Sequence, residues 1–232
     1  MEFALTLVAT TVACFVLRNP IRKAPMVFYV LSIALTAFCI AMPYLGLPRE
    51  IWVFMSTIMR KCLLPLALFV VVMFIGVLPR TSKASLWLRP IRAELSIIAW
   101  ILTLGHVVIY FNSYFPRVGG LSNNMLASLV VAMLLFVLLI VLGVTSFQFV
   151  KKRMNHDTWK KVQKLAYPFF ILVYVHLLLI FVPSAMNGGV QAQINIAVYT
   201  VLFVAYIVLR LLRAAKGDGV EHSFRHEKSK TA

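Results

Sequence analysis

A chain of 232 residues in which 62% are hydrophobic is too apolar for a water-soluble domain, and this composition leaves a multi-pass membrane protein as the expected class. The formal net charge is +16, because 23 lysines and arginines face only seven acidic residues. These basic residues cluster in short loops between apolar segments, so we interpret them as signals that orient the helices, not as a nucleic-acid-binding surface.

Seven apolar segments follow one another along the chain, and each comes close to the ~20 residues that a helix needs to cross the hydrocarbon core. They cover residues 3–17, 26–46, 62–78, 93–111, 125–150, 164–183 and 193–212. The stretch 51–59 either lies at the membrane interface or lengthens the third segment. We therefore predict an all-α, polytopic membrane helix bundle with about seven transmembrane helices.

The first segment has the length and apolarity of a signal peptide, but its basic residues Arg18, Arg22 and Lys23 follow it instead of preceding it. That order of charges is typical of a retained helix whose N-terminus lies outside the cell. We expect residues 1–25 to form an additional N-terminal transmembrane helix and the first cytoplasmic loop.

Basic and charge-poor connections alternate along the rest of the chain. Three connections carry most of the basic side chains: 18–25, 79–92 and 151–163. The other three are mixed or poor in charge: 47–61, 112–124 and 184–192. Because basic loops stay in the cytoplasm, the chain is predicted to have its N-terminus outside and its C-terminus inside. The polar tail, 213–232, is predicted to be a disordered cytoplasmic segment.

Two histidines, His106 and His176, lie well inside apolar segments, where an ionisable side chain needs a partner. One full segment separates their two helices, so the helices are predicted to run in the same direction. At 1.5 Å per residue, the rings would lie about 8 and 10 Å below the outer boundary. Two imidazoles at matching depth can hold one iron from opposite sides, with a flat macrocycle between the helices.

A structural role for these histidines stays open alongside a metal-binding one. Each ring can instead form a hydrogen bond between helices, with a hydroxyl or a carbonyl. Zinc is less favoured, because it usually takes four ligands and no cysteine or carboxylate accompanies the histidines. The seven acidic residues fall in loops, tails or helix ends, which is unlike the mid-membrane carboxylates of proton-coupled transporters.

Two stretches carry a family resemblance: RAELSIIAWILTLGHVVIY (Arg92–Tyr110) and WKKVQKLAYPFFILVYVH (Trp159–His176). They resemble the ferric-reductase-like transmembrane domain, and within it the heme-binding membrane subunit of the periplasmic methionine-sulfoxide reductase system. The resemblance covers residues 26–212 and implies a six-helix heme-binding core, with the first helix as an addition. It implies a bacterial inner-membrane protein that serves as the electron-transfer subunit of an oxidoreductase system.

The same resemblance suggests His106 and His176 as the axial metal ligands of heme. Many members of the wider family hold a second heme through histidines about 13 residues further inward. Here those positions are Ala93 and Gln163, so we predict one b-type heme, near the outer face. A single outer heme leaves a long gap to cytoplasmic donors, which FMN or a quinone bound toward the inner side would fill.

The implied function is electron transfer from a cytoplasmic flavin reductase, or from quinol, to an extracytoplasmic acceptor such as a methionine-sulfoxide reductase or a ferric chelate. Arg117, alone in its outer loop, is a candidate for pairing with a heme propionate. Arg89, Arg92 or Lys160 could hold a flavin phosphate, although topogenic charge alone explains each of them. Two alternatives remain: a non-redox transporter or assembly subunit, and a quinone-linked cytochrome without flavin.

Overall fold

The computed structural model describes the backbone of residues 2–79 and 81–230, and side chains up to residue 215. The described residues form helices and contain no strand. The α-helices are α1 (Glu2–Val16), α2 (Arg18–Lys23), α3 (Pro25–Ala41), α4 (Arg49–Met55), α5 (Leu63–Val77), α6 (Lys83–Leu88), α7 (Arg92–Tyr114), α8 (Asn123–Ser146), α9 (Gln148–Arg153), α10 (His156–Gln163), α11 (Ala166–Met186) and α12 (Val190–Lys230).

Six helical spans in the described part of the chain are long and apolar enough to cross a bilayer. They are Pro25–Tyr44, Arg49–Val77, Lys83–Gly120, Asn123–Ser146, His156–Met186 and Val190–Ala215. The prediction of an all-α membrane bundle is thus confirmed. The additional helix α1 has 15 residues, about 22 Å, so it is shorter than the ~30 Å hydrocarbon core.

Residues 51–59 form α4 and part of a π-helical turn, Ser56–Arg60, which joins α5 through Lys61 and Cys62. By length and composition, Arg49–Val77 counts as one apolar span. The junction is a break in helical geometry, because Cys62 adopts a left-handed conformation with φ at 60°. Such a break leaves the last carbonyl groups of the preceding helix without their usual intrahelical partners.

Helix α5 lies at the centre of the bundle. It carries no charged residue, and most of its side chains are buried on all sides, which is typical of a helix surrounded by other helices. It packs against α1, α7 and α12. Two apolar clusters meet along it, one shared with α3 and α7 and the other shared with α11 and α12.

The two ends of the bundle differ sharply in charge. Helices α2, α6, α9 and α10 lie at one end, which we call the basic end. There the Arg18 Nε donates to the Trp87 carbonyl oxygen at 2.8 Å, joining two of the basic loops. At the opposite end, which we call the histidine end, Lys61 lies 3.2 Å from the Glu2 carboxylate.

The Glu2–Lys61 ion pair is expected to contribute little to stability. Both side chains are more than half exposed, and exposed ion pairs are worth about 0–1 kcal/mol because solvent screens them. A Glu2→Gln variant should therefore unfold in detergent at nearly the same temperature as the parent protein. A large loss of stability would mean that this pair, and not the apolar packing of α1 on α5, holds α1 in place.

Some residues on which the sequence predictions rest lie outside the part of the chain that the structure describes. They are Arg80, one of the basic residues used to orient the loop 79–92, and the side chains of the tail from 216 onward. Helix α12 extends into this tail as far as Lys230. The disorder of the tail and the division of the chain at residues 26 and 212 stay predictions.

Candidate functional site

His106 and His176 lie on two helices that run in the same direction, because a single span, α8, separates α7 from α11. His106 precedes the end of α7 by eight residues, and His176 precedes the end of α11 by ten. At 1.5 Å per residue these positions lie about 12 and 15 Å from the helix ends. Both are deeper than the sequence predicted, since both helices are longer, but they still match within about 3 Å.

The His106 ring is anchored to the interrupted span formed by α4 and α5. Its Nδ1 lies 2.6 Å from the backbone carbonyl oxygen of Arg60, the last residue of the π-helical turn. A carbonyl oxygen can only accept a hydrogen bond, so His106 Nδ1 carries the proton. Tyr110 packs one turn further along α7, with ring centroids 4.6 Å apart, and covers one side of the imidazole.

The His176 ring is anchored to α8 in a similar way. Its Nδ1 lies 3.2 Å from the Ser128 carbonyl oxygen and 3.1 Å from the Ser128 hydroxyl oxygen. The carbonyl again requires an Nδ1 proton that His176 donates. Helix α8 packs against both α7 and α11 and so forms one wall beside both histidines.

These contacts give the two imidazoles the same chemical form. In each ring the Nδ1–H donates to a protein oxygen, which fixes the tautomer and leaves the Nε2 lone pair as the available ligand. The His176 ring lies close enough to His106 to act on it electrostatically. No set of three His, Cys, Asp or Glu side chains converges within the described part of the chain, so this site offers two neutral nitrogen donors.

Arg117, the predicted partner of a propionate, lies exposed in the 3₁₀ segment Phe115–Gly120 at the histidine end. Arg60 is a residue that the sequence analysis did not single out. Its carbonyl holds His106, and its guanidinium lies 5.5 Å from the Trp52 ring centroid. Arg60 also acts electrostatically on Tyr110, the neighbour of His106. In the sequence, Arg60 is one charged residue in the connection 47–61, and nothing there indicated this arrangement.

The positions 13 residues before each histidine, Ala93 on α7 and Gln163 at the end of α10, hold no comparable pair. Ala93 has no ligating group, and the Gln163 amide donates from Nε2 to the Thr145 hydroxyl at 2.9 Å. The Trp159 indole donates to the Thr145 carbonyl at 3.0 Å and closes this polar contact between α10 and α8. The geometry therefore defines a multi-pass membrane protein with one pair of imidazoles in the half of the bundle near the histidine end.

Comparison with known proteins identifies the family of this molecule. The family described as "Ferric reductase like transmembrane component" matches residues 56–174, about half of the chain. The chain therefore belongs to the ferric reductase-like transmembrane family, as its sequence resemblance predicted. The match contains His106 and ends two residues before His176.

The chain is also similar to an uncharacterized protein of Treponema pallidum (strain Nichols). The two are 35% identical over 225 residues, which cover 92% of this chain and 61% of that relative. The chain thus spans about three fifths of the length of the relative that it matches. No solved structure matches the chain.

Proposed function

We propose that this protein transfers electrons across the membrane through a single b-type heme held by His106 and His176. The observation that carries the proposal is the matching form of the two rings. Each Nδ1 is committed to a protein oxygen, and each Nε2 is available at a similar depth on co-directional helices. This donor set fits a heme iron, which takes two axial nitrogen ligands and needs no others from the protein.

The same hydrogen bonds also bear on the non-redox alternative, in which the histidines serve only as polar contacts between helices. Contacts of that kind are present at Arg60 and Ser128. They use one nitrogen of each ring, however, and leave the second nitrogen of both rings for a ligand. Family membership adds to this, because it points to electron transfer and not to transport.

In this proposal the protein's own residues orient and bury the cofactor, and the heme supplies the one-electron redox chemistry when it is bound. The Arg60 and Ser128 carbonyls make the imidazoles more basic and hold their rings in a fixed orientation. Arg60 and Arg117 are the candidates for charge-assisted hydrogen bonds to the propionates, and Arg60 is the better placed because it adjoins His106.

The proposed direction of transfer follows from the charge of the two ends. The basic end would face the cytoplasm and receive electrons from a flavin reductase or from quinol. FMN or a quinone bound near that end would shorten the distance to the heme. The histidine end would face the exterior of a bacterial inner membrane and pass electrons to a partner such as a methionine-sulfoxide reductase.

An optical spectrum of the purified protein tests the proposal directly. A bis-histidine heme is expected to give a strong Soret band that shifts on reduction. Extraction of bound flavin then distinguishes a flavin-linked system from a quinone-linked one. A colourless preparation that also fails to take up added heme would contradict electron transfer and favour a transporter or assembly subunit.

Ser128→Ala provides a graded test of the support for His176. The substitution removes the hydroxyl contact and keeps the Ser128 backbone carbonyl, so the Nδ1–H retains an acceptor. Loss of a group that supports a metal ligand typically costs about 10–100-fold in affinity, and we expect the lower end of this range because the carbonyl remains. Heme titration of the apoprotein measures the change, and an affinity equal to that of the parent would show that the hydroxyl does not support the ligand.

A further inference from the structure

A small cavity lies at the basic end of the bundle, where α5, α7, α10, α11 and α12 meet. Its volume is about 70 Å³, and its polar lining comes from Arg92, Gln163, Tyr167 and Tyr206. A single water needs about 10–15 Å³ of such space, so the cavity has room for several waters or one compact anion, but not for a porphyrin. Gln163 occupies the position at which relatives with two hemes are expected to place a ligand.

Arg92 brings a positive charge to this cavity. Its Nε donates to the Val72 carbonyl at 3.2 Å, and its Nη2 lies against Gly76, where a Cβ would come within 3.2 Å of it. The absence of a side chain at Gly76 thus makes room for the guanidinium. Arg89 and Arg213 lie close enough to act on Arg92 electrostatically, and no described carboxylate is among the groups that do so.

Tyr206 supplies a second, independent observation. Its side chain lines the cavity and is only 3% exposed, yet its hydroxyl has no hydrogen-bond partner among the described residues. A buried hydroxyl without a partner is costly, and such groups usually have one in native proteins. A ligand in the cavity that accepts a hydrogen bond would remove this cost.

From these features we infer that the cavity binds the phosphate group of a phosphate-bearing ligand. A guanidinium and a phenolic hydroxyl both donate hydrogen bonds, and a planar guanidinium suits the oxygens of a phosphate especially well. The phosphate can belong to a flavin nucleotide or to the headgroup of a membrane lipid, since both present the same oxygens. The inference requires neither histidine, so it stands or falls separately from the heme proposal.

The test uses the full chain, delipidated in an uncharged detergent, and measures binding of FMN and of riboflavin by equilibrium dialysis, with inorganic phosphate as competitor. FMN should bind about tenfold or more tightly than riboflavin, the difference expected from charge-assisted hydrogen bonds, and phosphate should compete. In the second arm of the test, mass spectrometry measures the phosphatidylglycerol that the protein retains through purification. Retained phosphatidylglycerol identifies a lipid as the source of the phosphate group.

Three variants complete the design. Arg92→Gln removes the charge, and Tyr206→Phe removes only the hydroxyl, so both should weaken binding of whichever ligand carries the phosphate. Arg22→Gln is the matched control, because Arg22 is an exposed arginine at the same end of the bundle. The inference fails if the binding of FMN and the binding of phosphatidylglycerol are both independent of Arg92 and Tyr206. It also fails if Arg22→Gln weakens binding equally, because the effect would then be one of net charge.

Discussion

His106→Ala and His176→Ala should each abolish stable heme binding. Either change removes one of the two proposed axial nitrogens. It also leaves the carbonyl that accepts from Nδ1, that of Arg60 or of Ser128, without its donor. A single remaining imidazole holds the iron from one side only, so a reversible, weak complex replaces a retained one. The ratio of heme to protein after purification measures the effect, and a wild-type ratio in either variant would contradict the assignment.

Loss of heme must be distinguished from loss of fold. His156→Ala is the matched control, because it removes the same side chain from an exposed position in the basic connection, at the start of α10. It should keep the heme of the parent protein. For the two ligand variants, a monodisperse elution profile shows that the bundle remains folded, and added imidazole should restore the bis-histidine spectrum by occupying the space left by the missing ring.

The sequence was sufficient for the bundle because the membrane constrains it so strongly. Every backbone polar group in the hydrocarbon must be hydrogen-bonded within the protein, and a helix does this within a single segment, so a long apolar stretch such as 125–150 predicts a helix. The structure places that helix at Asn123–Ser146, a difference of two residues at its start and four at its end, whereas α12 runs well past the predicted end at 212. End positions depend on local capping, as at Ser122, whose hydroxyl accepts from the Met125 amide at 3.4 Å.

The histidines could be found in the sequence, but their supports could not. An ionisable ring in an apolar segment is conspicuous, whereas a backbone carbonyl leaves no trace in the amino-acid sequence. Arg60 holds His106 through its main chain, at the end of a π-helical turn that no motif in the sequence marks. The cavity beside Arg92 likewise forms where five helices meet, and no single segment encodes it.

Gly143→Ala should destabilise the bundle more than any other glycine-to-alanine change in the spans. A Cβ at position 143 would overlap Trp100 at the indole nitrogen and the adjoining ring carbons. Small residues in membrane helices allow this kind of close approach, here between α8 and α7. Trp100 cannot turn away freely, since its ring also packs edge-on against Phe147 with centroids 5.8 Å apart.

The expected cost is that of an overpacked interior, about 1–3 kcal/mol, seen as a lower unfolding temperature in detergent. Gly119→Ala is the matched control, because a Cβ there meets no atom within 4 Å, and its effect should stay within about 0.5 kcal/mol. Trp100 precedes His106 by six residues, about 9 Å along α7, so the variant should keep the heme spectrum while losing stability. Equal stability of the two variants would mean that the indole moves aside at no cost, and loss of the spectrum would show that packing at Gly143 also controls the position of His106.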